Sequence, residues 1–498
     1  MTVWLLGDQL TTEVGPLASG ADRVLMIEAH GFARRHRYHP QKLVLVFSTM
    51  RHVRDRLREE GYEVSYLRGE TFAEGLESYL EEHPGDGLTL MEPASHGAGE
   101  RLAELVEDAG GTLERVENEC FLCPPDVFDE EFGEPPYRHE PFYRFMRRRT
   151  GYLMDGDEPE GGEWNYDEDN RETPPEDWEP PAVPRFEPDE LTCEVLEWVD
   201  EEFPDAWGSS AGFAWPVTRE EALEALSHFV EARLPEFGPY QDVMLRGEWA
   251  LSHSLLSSSL NLGLLHPTEV CEAALDAYEE RELPIASVEG FLRQVIGWRE
   301  FTRHVYRRAM PGMAGANQLE ATEDLPQAYY TGETGMTCLS ECVNHVYERG
   351  YAHHIERLMV LSNFALVYGA NPRELNEWFH FGFVDAYHWV TTPNVVGMGS
   401  FGTDALSSKP YASSANYIDG MSDFCTGCRY DADATVGEDA CPFNALYWDF
   451  LARNEERLRE NYRMGLMYSH VDRKRGDELA AIRERTDEIR ELGASGEL

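Results

Sequence analysis

The sequence predicts an α/β N-terminal domain with a doubly wound parallel sheet, joined to a large all-helical domain. Three observations predict it. Short apolar runs alternate with helical patterns over about the first 120 residues, a stretch rich in Pro, Gly and acids then interrupts the chain, and from about Thr218 onward apolar residues recur at helical spacing. A chain of 498 residues, 42% hydrophobic, buries a large core and divides into two or three domains.

Residues 2–6 (TVWLL), 43–47 (LVLVF), 63–67 (EVSYL) and 88–91 (LTLM) read as short buried strands, with helical patterns in TMRHVRDRLREEG and GERLAELVEDAGG between some of them. In such a sheet the ligand crevice lies at the carboxyl ends of the strands, which is where GDQL (Gly7 to Leu10) would sit. The chain has no GxGxxG and no P-loop, so the usual dinucleotide and triphosphate readings lack support. From Gly151 to Trp207 the stretch DGDEPEGGEWNYDEDNRETPPEDWEPPAVP has no periodicity and reads as a long interdomain connection. Helical spacing then runs through REEALEALSHFVEARL, HPTEVCEAALDAY, VEGFLRQVIGWREFTRHVYRRA and AHHIERLMVLSNFALVYG. The expected boundaries are 1–130 for the α/β domain, 131–215 for the linker and 216–498 for the helical domain.

The formal charge is −50, from 43 basic and 93 acidic residues spread along the chain. A surface this acidic suggests a host with high internal salt. It argues against sequence-independent nucleic-acid binding at ordinary salt, because phosphate contacts need Lys and Arg. The densest positive cluster is RFMRRRTG, Arg144 to Gly151. The start lacks the basic region and cleavage pattern of a signal peptide, and there is no long apolar run, so the expected location is the cytoplasm.

Nine cysteines in a reducing compartment are poor disulfide candidates, and clustered ones suggest a metal. Cys425, Cys428 and Cys441, the last followed by Pro, can ligate Zn(II) or an iron-sulfur cluster. A fourth ligand is then needed, and Cys338 and Cys342 are the nearest upstream. No His stands in the loop, and Cys-Pro recurs at cluster ligands, which weighs against a zinc knuckle. Cys120 and Cys123 in CFLC have no second half nearby. In GYAHHIERLMVLSNFALVYG, His354 and Arg357 fall on one helix face, with His353 turned about 100° away. SHSLLSSSLNLGLLHP places hydroxyls beside a helix start, where they serve either as caps or as phosphate ligands.

Together, YQDVMLRGEWALSHSLLSSSLNLGLL, GWREFTRHVY, GYAHHIERLM, DAYHW and GTDALSSKPY resemble the photolyase and cryptochrome superfamily. FYRFMRRRTGYLMDGDEPEGGEWNYDEDNRE, KPYASSANYIDGMSDFC and CPFNALYWDFLARN are similar to its iron-sulfur bacterial branch, also called prokaryotic 6-4 photolyases. The resemblance runs from Gly7 to about Arg463.

The resemblance implies an antenna domain, a linker and a helical domain holding a U-shaped FAD, with a [4Fe-4S] cluster near the C-terminus. It implies light-driven electron transfer from reduced FAD to a pyrimidine lesion in DNA. On the family pattern, Arg357 and Asp385 lie against the isoalloxazine, Tyr240, Ser254, Leu256 and Ser257 surround the diphosphate, and Trp298 lines the pocket. His354 matches the proton donor of 6-4 photolyases, a task suited to imidazole, and Tyr411 is a lesion contact. Cys338 becomes the fourth cluster ligand and Cys342 a bystander. Trp378 and Tyr330 match electron-relay positions, whereas Phe379 and Thr391 replace an expected Tyr and an expected acid, and Leu358 stands where eukaryotic enzymes carry a His. Asp8 and Val46 match the site of 6,7-dimethyl-8-ribityllumazine, but Phe32 replaces an expected Glu, which leaves a deazaflavin or an empty site open. The expectation is a monomeric repair lyase for the 6-4 photoproduct, with no membrane partner. A non-repairing cryptochrome-like photoreceptor, a cyclobutane-dimer photolyase and a ferredoxin-like carrier are the alternatives.

Overall fold

The computed structural model describes residues 2–175 and 177–498. Five strands, β1 (Thr2–Trp4), β2 (Arg23–Ala29), β3 (Glu63–Gly69), β4 (Gly87–Met91) and β5 (Thr112–Val116), form one parallel sheet in the order β3-β2-β1-β4-β5. Every crossover carries chain from one end of the sheet to the other, as parallel pairing requires. The order reverses between β1 and β4, so the crevice opens beyond their carboxyl ends, next to Gly7–Leu10.

One of the expected strands needs revision, and two strands are added. Residues 43–47 lie inside the helix Pro40–Glu59, while β2 (RVLMIEA) and β5 (TLERV) were not anticipated. A short continuous apolar run is compatible with a strand or a helix buried all round. The first half of this helix is buried on almost every side because it sits between sheet and helical domain: Val44 and Leu45 are inaccessible, and its residues join Val3, Val24 and Met26 in a core that continues into Phe229, Leu256 and Phe291. Its start is tied to the helical domain. His39 caps it through Nδ1, which accepts from the Gln41 amide at 3.1 Å, and the Lys42 ammonium donates to the carbonyls of His380 and Ala386. Helices Phe72–Glu82 and Ala98–Asp108 cover the other sheet face, packing Leu76, Tyr79, Leu102 and Val106 on Trp4, Leu25 and Leu90.

At the end of β2, Glu28 is fully buried and is bonded by Arg51, His30 and Tyr66. Burial alone would raise its pKa, but the hydrogen bonds from His30, Arg51 and Tyr66 outweigh it and hold the carboxyl at about 2. Because the folded value lies below the unfolded one, the stabilisation, about 3 kcal/mol, is complete above pH ~5 and is lost as pH falls toward 2. Acid titration of Glu28→Gln followed by circular dichroism should show lower stability at neutral pH and a shallower acid slope than the parent.

The connection between domains is more structured than its composition implies. It holds a small hairpin (Met154–Asp155 with Glu158–Pro159) and the helix Glu190–Glu202, whose Val195 and Val199 pack in the core that includes the helix Pro40–Glu59. The basic cluster is largely structural: Arg147 is buried and donates to the carbonyls of Leu153 and Trp164, Arg144 pairs with Glu140 at 2.8 Å, and only Arg148 and Arg149 are exposed. Helices from Arg219–His228 to Asp477–Ser495 make up the remainder, with a second core around Leu339, Phe364, Trp378, Phe443 and Phe450. Among the described residues, no helix is long and apolar enough to cross a membrane.

Candidate active site

Loop 245–256 forms one wall of the site. Leu251 and Leu255 adopt left-handed backbone with φ of 43° and 60°, which costs roughly 1–2 kcal/mol per non-glycine residue. The buried Arg233 holds this shape, donating to the carbonyls of Leu251 at 2.6 Å and His253 at 2.8 Å. No carboxylate pairs with it among the described residues, and burial lowers its pKa to about 10. Arg233→Ala should therefore release the loop, destabilise the protein by about 3 kcal/mol and lower flavin content, measured by thermal melting and by absorbance of the purified protein.

Three hydroxyls in this segment, on Ser252, Ser258 and Ser259, are buried without a hydrogen-bond partner, while Ser254 and Ser257 are partly open. Unpaired buried hydroxyls are costly in a finished core, and this set suits the oxygens of a phosphate-bearing ligand. Ser257 Oγ donates to Asp385 Oδ2 at 2.7 Å, and Asn261 Nδ2 donates to the Asp385 carbonyl at 3.0 Å. Arg357 closes a two-pronged ion pair on the same carboxylate at 3.1 and 3.0 Å, with its guanidinium over Phe383 (4.3 Å) and Tyr351 (5.0 Å). Asp385 is thus a fixed charge, and Arg357, Asp385 and Ser257 are brought together.

The helix expected over 350–369 begins at His354, leaving His353 in the preceding turn, and it widens into a π-helical stretch at Glu356–Ser362. Such widening is frequent at functional sites. His354 is 46% exposed, and its Nε2 lies 3.2 Å from Asp242 Oδ1. Behind it, the buried rings of His353 and His253 stack at 4.7 Å, and burial drives both far below the usual histidine pKa, so they stay neutral. Asp242 faces Arg171 at 3.6 Å, and Arg171 faces Asp167, which pairs with Arg293, so a chain of ion pairs from the linker runs beside His354. Tyr411 is half-buried among the charges of Arg463, Asp167 and Arg171.

Other expected residues lie apart from this group. Trp298 stacks face to face on His139 at 3.8 Å, and Tyr240 packs on Trp178 at 4.8 Å. Leu256 is buried in the core. Trp378 is buried beside Phe379 and Phe383, whose rings stack at 4.9 Å, and Phe383 is the ring under Arg357. The aromatic neighbours of Trp378 toward the surface are Trp207 at 5.7 Å and then Tyr347, 42% exposed. Tyr330 instead donates its hydroxyl to Glu374 and accepts the Trp207 indole at its carbonyl. Thr391 is buried. Asp8 sits beyond β1 near Tyr387, and burial raises its pKa to about 6. A Cβ at Gly7 would approach Val46 Cγ1 to 3.5 Å, which places Val46 on the same crevice. Phe32, 49% exposed, packs toward Phe72 at 6.3 Å.

Cys338, Cys425, Cys428 and Cys441 line one small cavity, whose other walls include Met336, Ile418, Phe424, Tyr430 and Phe443. Cys342 points elsewhere, toward Glu356. Four sulfurs against apolar walls repel one another as thiolates, so this donor set suits a positively charged metal or cluster. Cys120 and Cys123 are buried packing residues, and the amide of Cys123 donates to Glu300 at 3.0 Å.

Sequence reasoning missed Asp242, His253, Arg233 and Trp207. His253 stands inside a quoted motif, but nothing in one-dimensional spacing brings it beside His353. Asp242 and Trp207 lie in segments without periodicity, and a buried Arg serving carbonyls leaves no pattern.

A family model described as deoxyribodipyrimidine photo-lyase-related protein matches residues 3–215. The chain is 40% identical over 479 residues to the "(6-4) photolyase" of Agrobacterium fabrum, covering 94% of each sequence. Its structure resembles a Synechocystis cryptochrome (TM-score 0.61, 14% identity, covering 84% of this chain and 86% of that one). It also resembles an archaeal photolyase from Sulfolobus tokodaii described with two FAD molecules (TM-score 0.55, 15% identity, 84% and 87%).

Proposed function

The chain belongs to the bacterial cryptochrome and photolyase family, and from that premise we propose that it is a light-driven lyase that reverses the 6-4 pyrimidine-pyrimidone photoproduct in DNA. The observation that carries this reading is the His354 ring, half-exposed, paired to Asp242 and backed by two neutral imidazoles.

FAD is the cofactor of this reading, and when bound it supplies the light-driven electron. Ser254 and Ser257, with the unpartnered hydroxyls of Ser252, Ser258 and Ser259, are the groups to hold its diphosphate. Arg357 and Asp385 set a fixed dipole beside its ring, and Asp385 is oriented for this by Ser257 and Asn261. His354 donates the proton to the lesion, and Asp242, 3.2 Å from its Nε2, orients the imidazole. Tyr411 is assigned as a lesion contact, next to Arg463 and Arg171, which supply local positive charge on an acidic protein. Tyr240 and Leu256 are assigned to the diphosphate with the serines above, and Trp298 to the lining of the pocket. Trp378 passes electrons toward the cofactor; the packing supports Trp207 rather than Tyr330 as its next partner.

Cys338, Cys425, Cys428 and Cys441 hold a [4Fe-4S] cluster of structural role. Asp8 and Val46 border an antenna site for 6,7-dimethyl-8-ribityllumazine or a deazaflavin, and the protein works as a cytoplasmic monomer in a salt-rich host. The test is competition in one illuminated tube, with a dark control, between oligonucleotides carrying a 6-4 photoproduct and a cyclobutane dimer. Preferential loss of the 6-4 lesion is expected. Loss of the dimer alone would move the reading to a cyclobutane photolyase, and loss of neither would favour a photoreceptor.

A further inference from the structure

We propose that Lys42 is a positioning residue for the flavin site, holding the turn that carries Phe383 and Asp385 and adding a positive charge near that carboxylate. This role rests on the reading of Arg357 and Asp385 as flavin-binding groups. Lys42 comes from the α/β domain, in the first turn of the helix Pro40–Glu59.

A lysine is costly in this place. It is buried, and it stands at the positive end of its own helix dipole. Its ammonium donates to backbone carbonyls rather than to a carboxylate. An apolar side chain of similar volume would fill the space without a buried charge, so stability does not account for it.

What the ammonium holds does account for it. It donates to the carbonyl of His380 at 3.0 Å, in the last turn of the helix Pro372–Gly382, and to the carbonyl of Ala386. A helix end offers unpaired carbonyls and the negative end of a dipole. The rings of Tyr38 and Tyr387 face the same ammonium at 4.9 and 5.5 Å. Between the two carbonyls in the chain lie Phe383, under the Arg357 guanidinium, and Asp385, which Arg357, Ser257 and Asn261 hold. Neighbours of Lys42 strengthen the grip: the Tyr38 hydroxyl lies 3.1 Å from His380 Nε2, and the His39 amide donates to the Phe381 carbonyl at 2.8 Å. The α/β domain thus fixes a turn of the helical domain's cofactor site.

The charge on Lys42 is conditional. Burial lowers its pKa to about 7, against the pull of the Asp385 carboxylate. The ammonium is therefore present below about pH 7 and lost above it. Other groups along this seam titrate elsewhere. Burial lowers His36, His380 and His388 and brings His39 to about 4, while it pushes Tyr38 up to about 12 and Tyr387 higher still. Asp8, raised to about 6 by burial, titrates in parent and variant alike. A cation near Asp385 favours added negative charge on a flavin bound there, so the protonated lysine favours the reduced form.

The test compares the parent, with its cysteine site filled, with Lys42→Met, which removes the bonds and the charge. Lys42→Gln keeps a donor without the charge and takes its place if the first variant does not fold. One readout needs no flavin: hydrogen exchange at Val384 and Ala386, whose amides donate to the Gly350 and Phe383 carbonyls at 2.9 and 3.3 Å. Exchange at both should be about 10-fold faster or more in Lys42→Met, with core amides such as that of Phe364 unchanged. The second readout is the reduction equilibrium of bound flavin against a reference dye. At about pH 6 the ratio of reduced to oxidised flavin should be about 10-fold lower in either variant, about 30 mV for a two-electron couple. At about pH 9, where the parent lysine is neutral, the difference should vanish. Unchanged exchange in Lys42→Met, or equal ratios in parent and variants at both pH values, would overturn this role. A constant offset at both pH values would overturn it too, because a packing defect does not titrate. A parent that binds no flavin, with faster exchange in the variant, would refute the flavin reading and leave the hold on the turn standing.

Discussion

His354→Ala is expected to lower the light-driven repair rate by 10²- to 10⁴-fold, the range for losing a positioned proton donor, while flavin content stays unchanged. The imidazole is 46% exposed and makes one side-chain hydrogen bond, to Asp242, so its removal leaves no cavity and should change stability by no more than about 0.5 kcal/mol. The cofactor groups assigned above, Ser257, Arg357 and Asp385, keep their mutual bonds without it. Repair per flavin under steady illumination, with the visible spectrum as the control, separates loss of chemistry from loss of cofactor. Asp242→Asn should reduce the rate less than His354→Ala, because the ring keeps its nitrogens and loses only the carboxylate that orients it. Full repair in His354→Ala would transfer the proton-donor role to another group, with Tyr411 the nearest choice.

The second large effect is expected at the cysteines. Cys338→Ala should abolish the iron-sulfur chromophore and reduce iron from about four per chain to near zero, whereas Cys342→Ala should retain both. The two residues are one helical turn apart and both buried, so exposure does not distinguish them. Direction does: the Cys338 sulfur shares a cavity with Cys425, Cys428 and Cys441, while Cys342 faces Glu356. Without a cluster the apolar walls around Phe424 and Phe443 lose their centre, and the cost should be several kcal/mol, since binding free energy at such sites is folding free energy. Cys342→Ala removes one buried sulfur and should cost about 1 kcal/mol. Iron analysis and thermal melting of the two variants decide the matter, and cluster loss in Cys342→Ala alone would exchange the ligands.

The sequence revealed the fold class because period is a local property. The strands at β1, β3 and β4 and the helical spacing after Thr218 are visible in short windows, as is the Cys-x-x-Cys pair. The run LVLVF was not legible, because only the tertiary arrangement shows that its helix is covered by the sheet on one side and helical domain on the other. The helix Glu190–Glu202 was obscured by the Pro- and acid-rich composition around it. In the site, His354, Arg357 and Asp385 were found through resemblance, but Asp242 and His253 enter only through long-range contacts, 112 residues away from His354 for Asp242 and by ring packing for His253. Trp207 likewise became visible only when its ring met Trp378.

The central claim, that this protein restores damaged pyrimidines with light, is tested most directly by product analysis. The flavin of the parent protein would be reduced, an oligonucleotide with one 6-4 photoproduct added in high salt, and the mixture illuminated with blue light, digested and separated by chromatography. The account predicts two intact pyrimidines for each lesion lost in the light and none in the dark. An unchanged lesion on an oligonucleotide shown to be bound, with the flavin reduced, would contradict it.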